Sequence, residues 1–386
     1  MTMAVALLLI VAGSVLFHVF NPWWTTPLAS NWKLMDDTLG ITLAITGIFF
    51  IVINVFIAYM LVRFRHRAGR RAAHEPENRK LERWLIGGTT VAIMALLAPG
   101  LLVYANYVRE PRDALVLEVL AQQWQWRFRF PGEDGKLGAT DARFFSATNP
   151  FGIDPADRAG QDDLLIAGTE VHLPLGKPVL VLMRSHDVLH DFFVPNFRAR
   201  MNTVPGQVSR FWFTPTVAGR YEALCAQLCG VGHPNMRGHV VVEDPAAYGA
   251  WQAALPTFAK SQIKAPEAPA GAVAAGGDAR VQQGRALADS KGCVACHTID
   301  GSPRVGPTWK GLYGKTENMA DGSTALVDEA FLRSFIRDPQ ARHVKGFPPV
   351  MPKVELSEEE LAALVAYIQS LGSPPAQAAA EQKAPR

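Results

Sequence analysis

The segment Cys225-Ala-Gln-Leu-Cys229-Gly-Val-Gly-His233-Pro-Asn-Met236 gathers two thiols, an imidazole and a thioether in one short run. Such soft ligands suit copper, whereas magnesium, calcium and manganese prefer oxygen. A cysteine pair four apart in a loop can set both sulfurs between two metal ions. His190, in HDVLH (186–190), offers a further imidazole from a neighbouring loop. The cysteines alone leave two alternatives open: a plain Cys225–Cys229 disulfide in an oxidising compartment, or a thiol-based copper chaperone.

The sequence around this segment is strand-like. LVLEVLAQQWQWRFRF (115–130), VHLPLGKPVLVLMRS (171–185), VSRFWFTPTVAGRYEAL (208–224) and HVVVED (239–244) alternate or run apolar, with Pro and Gly between them. Several short strands at this spacing predict a Greek-key sandwich or barrel over 114–245.

A second cysteine pair lies downstream, in Cys293-Val-Ala-Cys296-His297. C-x-x-C-H is the attachment signal for c-type heme, with two thioether bonds and the histidine as an iron ligand. A disulfide or a zinc half-site is the alternative, but the chain has only four cysteines, so no second zinc pair remains. Met351, before a helix with Ser357 as N-cap and Glu360 completing a capping box, is the expected sixth ligand. Met319, in a polar loop, competes with it. The heme unit is expected over 279–372, after an Ala/Pro/Gly-rich linker at 246–278 with a span of about 30 Å. A disordered tail is expected at 373–386.

Of the 386 residues, 49% are hydrophobic and 19% charged, below the ~25% usual for soluble domains. The deficit is local. Leu39 to Val62 and Trp84 to Val108 carry no charge, and each exceeds the ~20 apolar residues that cross a bilayer as a helix. They predict a transmembrane hairpin over 30–110. The loop between them holds eight Lys/Arg from Arg63 to Arg83, which the positive-inside rule places in the cytoplasm, with everything after Val108 outside. Residues 1–20 are apolar and read as a third span or a signal peptide. The absence of Lys or Arg before Lys33, and Trp23–Trp24 as an interface belt, favour the span. A net charge of +3 from 38 basic and 35 acidic residues excludes a nucleic-acid binder that draws its affinity from phosphates.

Two spans, an exported all-β domain, Gln123-Trp124-Gln125-Trp126, Asp187-Val188-Leu189-His190 and C-x-x-x-C-x-x-x-H-x-x-M together resemble subunit II of the heme–copper cytochrome c oxidases over about residues 30–250. The segment 279–372, with Val305-Gly306-Pro307, is similar to class I cytochromes c. The resemblance implies a multidomain chain: a transmembrane helical anchor, an all-β cupredoxin-like Greek-key domain and an all-α cytochrome c domain. It implies a dinuclear CuA centre bridged by Cys225 and Cys229. His190 and His233 would each bind one copper, with Met236 and the carbonyl of Gln227 as weak ligands. Covalent heme c would sit on Cys293 and Cys296, between His297 and Met351, with the Pro307 carbonyl orienting His297. Trp124 would be the residue through which electrons enter the copper centre, with Trp126 packing on the same strand face. His186 falls outside the pattern and reads as a surface or supporting histidine.

Two positions depart from the family. Gln227 stands where a glutamate usually serves a magnesium or manganese site at the subunit I boundary, and a neutral amide is a poorer ligand for a hard cation. Glu82 lies near the family's proton-channel carboxylate, but its spacing to Trp84 differs; one more charge in a solvated loop is the alternative. The implied function is the electron-input subunit of a proton-pumping terminal oxidase in a bacterial inner membrane, with the copper and heme domains on the periplasmic face. Electrons would come from a soluble or membrane cytochrome or another donor. Oxygen chemistry would reside in subunit I, with subunit III and membrane lipid as further partners. A copper-containing nitric oxide reductase is the nearest alternative, and a membrane-anchored copper chaperone or electron shuttle the non-enzymatic one.

Overall fold

Three long apolar helices open the chain: α1 (Thr2–Phe20), α2 (Lys33–Arg63) and α3 (Arg79–Tyr107). Each is long and apolar enough to cross a membrane. At 1.5 Å per residue even the 19 residues of α1 extend about 29 Å, close to a hydrocarbon core. Asn78 caps α3 by accepting from the Leu81 amide, and Pro99 lies inside it. The computed structural model describes all residues except 21–25, 70, 72–76, 147–148, 167, 263–275, 303, 355 and 373–386. The expected Trp23–Trp24 belt and the tail from 373 therefore lie outside the described residues.

Among the described residues the middle of the chain forms ten strands: β1 (Leu115–Gln122), β2 (Gln125–Phe130), β3 (Leu164–Ile166), β4 (Glu170–Pro174), β5 (Val179–Ser185), β6 (His190–Val194), β7 (Ala199–Thr203), β8 (Ser209–Phe213), β9 (Gly219–Cys225) and β10 (Arg237–Glu243). They make two five-stranded sheets, ordered β3-β2-β1-β5-β8 and β4-β10-β9-β6-β7. β1 runs parallel to β5 and β10 parallel to β4, while the other pairings are antiparallel. Alternate residues of each sheet fill the space between them, among them Val119, Trp126, Phe128, Val181, Phe192 and Val240. β1 is buried on its other face too. There Leu120 packs with Phe151, Ile153 and Phe258, and Glu118 pairs with Arg129 and Arg184.

The segment expected to begin a linker at 246 departs from that reading. α4 (Pro245–Ala253) is capped by Asp244, and α5 (Phe258–Gln262) drives Phe258 into the apolar cluster under β1. The Phe258 amide donates to the Asp163 carbonyl, so the chain is fixed to the copper-domain side as far as Gln262. The segment 263–275 then joins Gln262 to Gly276, a reach of at most about 50 Å.

The last unit consists of α6 (Gly276–Ser290), a short hairpin of β11 (Thr316–Asn318) and β12 (Thr324–Leu326), α7 (Glu329–Arg337) and α8 (Glu358–Ser370). The hairpin is a small departure from an all-α expectation. Ser357 and Glu360 form a complete capping box at the start of α8. Leu361, Leu364, Val365 and Ile368 of α8 join Leu332 and Ile336 of α7 in this unit's own core.

Candidate copper and heme sites

Cys225 ends β9, and the loop 226–236 returns the chain to β10. His190 opens β6, which pairs with β9 through Phe192 and Cys225. The sheet thereby brings His190 to the cysteine loop. Donor atoms of His190, Cys225 and Cys229 lie within 4.8 Å of one another, all three residues buried. The two sulfurs are 3.7 Å apart, and Cys225 Sγ lies 3.2 Å from the Gln227 carbonyl. Cys229 Sγ is 3.6 Å from His233 Nδ1 and 4.0 Å from Met236 Sδ. All six positions expected from the sequence thus meet in one place.

The electrostatics match a metal site. His190 Nε2 donates to Asp187 Oδ1 at 2.8 Å, which leaves its buried Nδ1 without a partner beside the thiols. A buried imidazole nitrogen left unpaired is costly unless something fills the space, and a soft cation would. Burial lowers the His190 pKa, but the neighbouring Asp187 carboxylate and Cys225 thiol outweigh that and raise it. Asp187 is held below the usual carboxylate range: burial is outweighed by hydrogen bonds from His190 and from the Gln123 and Val188 amides. The hydrogen bond from Cys229 pulls the Cys225 thiol well down, and the same bond pushes the Cys229 thiol up.

Trp124 is not on a strand. Gln123 and Trp124 form the turn between β1 and β2, so period-two alternation does not relate Trp124 to the buried Trp126. The peptide bond between the two turn residues is cis. The Trp124 indole N–H donates to the Cys229 carbonyl at 3.0 Å, and Gln123 Nε2 donates to the same oxygen at 2.8 Å. The indole lies over Gly232, where a Cβ would come within 2.2 Å of Cδ2. His186 packs edge-on to Phe145 at 4.6 Å and is not part of the ligand cluster. Glu82 lies exposed in the first turn of α3, with no ion pair among the described residues.

In the last unit one cavity is lined by Cys293, Cys296, His297 and Met351. His297 Nδ1 donates to the Pro307 carbonyl at 2.8 Å, which leaves Nε2 for a metal. Burial lowers the His297 pKa, keeping the imidazole in the neutral form that binds metal. Trp309 stacks on the ring at 5.2 Å, and Gly306 gives it room, since a Cβ there would lie 2.5 Å from Cε1. Gln340 donates to the Met351 carbonyl at 2.8 Å. Met319 is buried elsewhere, its backbone paired with Ser323 and Val344, and does not line the cavity. The same cavity is also lined by Gln123 and Trp124, and a Cβ on Gly292 would lie 3.4 Å from Gln125 Nε2.

Asp187, Gln123 and Gly232 have no separate role in the sequence pattern. Asp187 carried a signal, a carboxylate three residues before the candidate ligand His190. The two others owe their roles to a loop and a turn that meet only in the fold.

A cupredoxin-like domain with a copper-type ligand set, followed by a cytochrome c domain and carried on apolar helices, defines a membrane-anchored redox protein of two centres. Comparison with known proteins narrows the class. The family described as "Cytochrome C oxidase subunit II, periplasmic domain" matches residues 115–244, and "Cytochrome c" matches residues 281–372. The chain is 53% identical over 259 residues to the alternative cytochrome c oxidase subunit 2 of Bradyrhizobium diazoefficiens, covering 67% of this chain and 94% of that protein. It is 29% identical over 259 residues to cytochrome c oxidase subunit 2 of Cereibacter sphaeroides, covering 64% and 83%. Against the Alkalihalophilus pseudofirmus subunit 2 it is 30% identical over 206 residues, covering 53% and 55%. The chain belongs to the cytochrome c oxidase subunit 2 family and carries a cytochrome c domain at its C-terminal side.

Proposed function

We propose that this chain is the electron-input subunit of a heme–copper oxidase, passing electrons from a donor through heme c and a dinuclear CuA centre to an oxygen-reducing subunit I. The bound groups would supply reversible one-electron chemistry at both sites. Cys225, Cys229, His190, His233, Met236 and the Gln227 carbonyl would together hold the copper. Asp187 fixes the His190 ring so that Nδ1 faces the sulfurs. Cys293, Cys296, His297 and Met351, which line one cavity, would hold the heme. The residue arrangement supports a soft-ligand dinuclear site over a hard-cation site, and neutral Gln227 argues against an auxiliary magnesium or manganese.

One observation carries the reading: Trp124 touches both sites, bonded to the Cys229 carbonyl and lining the cavity with His297 and Met351. Trp124 would therefore join the two redox centres within one chain. The anchor at Phe258 supports this by confining the cytochrome near its acceptor, which raises its effective concentration. We divide the chain accordingly into a membrane anchor to about 110, a copper domain extended to 262, and a cytochrome unit over 276–372. The basic α2–α3 loop would face the cytoplasm and the redox domains the periplasm, with subunit III and a cytochrome donor as further partners. Glu82, exposed in the first turn of α3, would remain a candidate proton-channel carboxylate at the boundary with subunit I.

The test is to purify the complex through this chain, extract its hemes and follow reduction in time. An a-type heme, two coppers in this chain and reduction of heme c ahead of copper are expected. Only b-type hemes with turnover of nitric oxide would overturn the oxidase assignment in favour of the reductase.

A further inference from the structure

The ends of the α2–α3 hairpin meet the copper domain around a cavity of about 490 Å³ that neither redox site uses. Trp32 just before α2, Asn106 near the end of α3, Arg109 and Arg112 beyond it, and Trp212 of β8 form its walls. The tryptophans meet edge to face at 5.1 Å, and their N–H groups are already used. Trp32 donates to the Trp212 carbonyl and Trp212 to that of Asn106, at 2.8 and 2.7 Å. The wall is therefore rigid and presents aromatic surface.

The charge is one-sided. Arg109 and Arg112 are exposed, and neither side chain has a hydrogen-bonding or ion-pair partner among the described residues. Glu110, the only acid among the described residues lining the cavity, reaches toward Arg210 at 3.4 Å. Depth identifies what such a cavity meets. The uncharged run of α3 ends at Val108, one residue before Arg109, so both guanidinium groups fall where a bilayer places its headgroups. Arginine beside an aromatic wall suits a phosphodiester, which a planar guanidinium can bond through two N–H groups.

We propose that this cavity holds the phosphate of an anionic phospholipid headgroup, in the leaflet on the copper-domain side, clamped by Arg109 and Arg112. The occupant is a lipid of the surrounding bilayer. It couples the membrane hairpin to the copper domain where Trp32 and Trp212 already join them. The inference rests on the membrane anchoring of the chain and not on its electron-transfer role, so either can fail alone.

The experiment uses the assembled, delipidated complex and titrates it with dioctanoyl phosphatidylglycerol, counting bound lipid by native mass spectrometry. R109Q/R112Q should bind it about thirtyfold more weakly than wild type. Covalent heme and copper content serve as the folding check, and the single R112Q variant is read where the double variant fails to assemble. Dioctanoyl phosphatidylcholine should bind more weakly, and millimolar inorganic phosphate should not displace the lipid. Unchanged affinity in the variants overturns the proposal. So does equal binding of phosphatidylcholine, or displacement by inorganic phosphate, which would mark a general anion site.

Discussion

The indole N–H of Trp124 donates to the carbonyl oxygen of Cys229 at 3.0 Å, so the β1–β2 turn is bonded to the backbone of a copper-loop cysteine. The bond is made by a residue that also lines the cavity of His297 and Met351. A tryptophan held this way has little freedom: Gln123 bonds the same carbonyl, and Gly232 leaves just enough room for the ring.

Two substitutions should disturb that contact from opposite sides. Trp124→Leu removes the ring, and Gly232→Ala places a Cβ 2.2 Å from it at ordinary φ, so the ring must move. Each should slow electron transfer from heme c to copper by on the order of tenfold or more. Copper content and the heme c spectrum should stay as in wild type. Flash-induced reduction of the purified complex reads the rate; wild-type rates in both variants would remove Trp124 from the path.

Asp187 orients His190 and also accepts the Gln123 amide at 2.7 Å, so one carboxylate sets both the ligand and the turn. Asp187→Ala should weaken copper binding by about 10–100-fold, the usual cost of losing a carboxylate behind a ligating histidine. Asp187→Asn retains an acceptor and should lose less. Competition with a copper chelator measures both, and heme c content should not change.

Much of this was legible in the sequence because both cofactor motifs are local. Cys225 through Met236, and Cys293 through His297, carry most of the candidate ligands of each site in one short run. What stayed hidden depends on pairing. Trp124 looked like a strand residue because Gln123 and Trp124 sit between two apolar runs with no Gly, Asn or Asp to mark a turn. Phe258, like Tyr248 and Trp251 before it, stands among residues of linker-like composition, and nothing local says that β1 has an uncovered apolar face. Glu118 and Arg129 are charged residues within apolar strands, yet both are buried under a cover that includes Phe151, Ile153 and Asp163.

That cover has a pH signature. Burial pushes Asp163 up to about 6 against the opposing pull of Arg129, 2.7 Å away. The folded state then binds more protons than the unfolded state between pH about 4 and 6. The contribution of this group to stability is therefore present below the unfolded value and lost as pH rises through about 6, roughly 3 kcal/mol in all. Asp163→Asn removes the titration and keeps an acceptor for Arg129. The difference in unfolding midpoint between variant and wild type should change across pH 4–6 and level off above it. A difference independent of pH would show that Asp163 ionises normally.

Phe258 tests the tether. It is 1% exposed, and Phe258→Ala should cost about 3–5 kcal/mol of local stability, enough to release α5 from the sheet. The connection between the two units would then lengthen back through α5, and a longer connection holds its ends together less often. Intramolecular reduction of copper should slow, while reduction of heme c by an external donor should not. Faster protease cleavage near 255–262, read on the intact complex, would confirm the release.

Met351 and Met319 separate by burial and position. Met351 lines the cavity with His297, whereas Met319 is 1% exposed in a backbone-paired turn outside it. Thioether ligation raises the potential of a heme iron, so Met351→Ala should lower the heme c midpoint sharply and abolish the methionine–iron charge-transfer band. The heme should remain covalently attached, because Cys293 and Cys296 are untouched. Met319→Ala should do the reverse: potential and band unchanged, but about 2–5 kcal/mol of stability lost from a tightly packed site. Redox titration and thermal unfolding of the two variants distinguish ligand from core residue, and an unaltered potential in Met351→Ala would return the sixth position to another side chain.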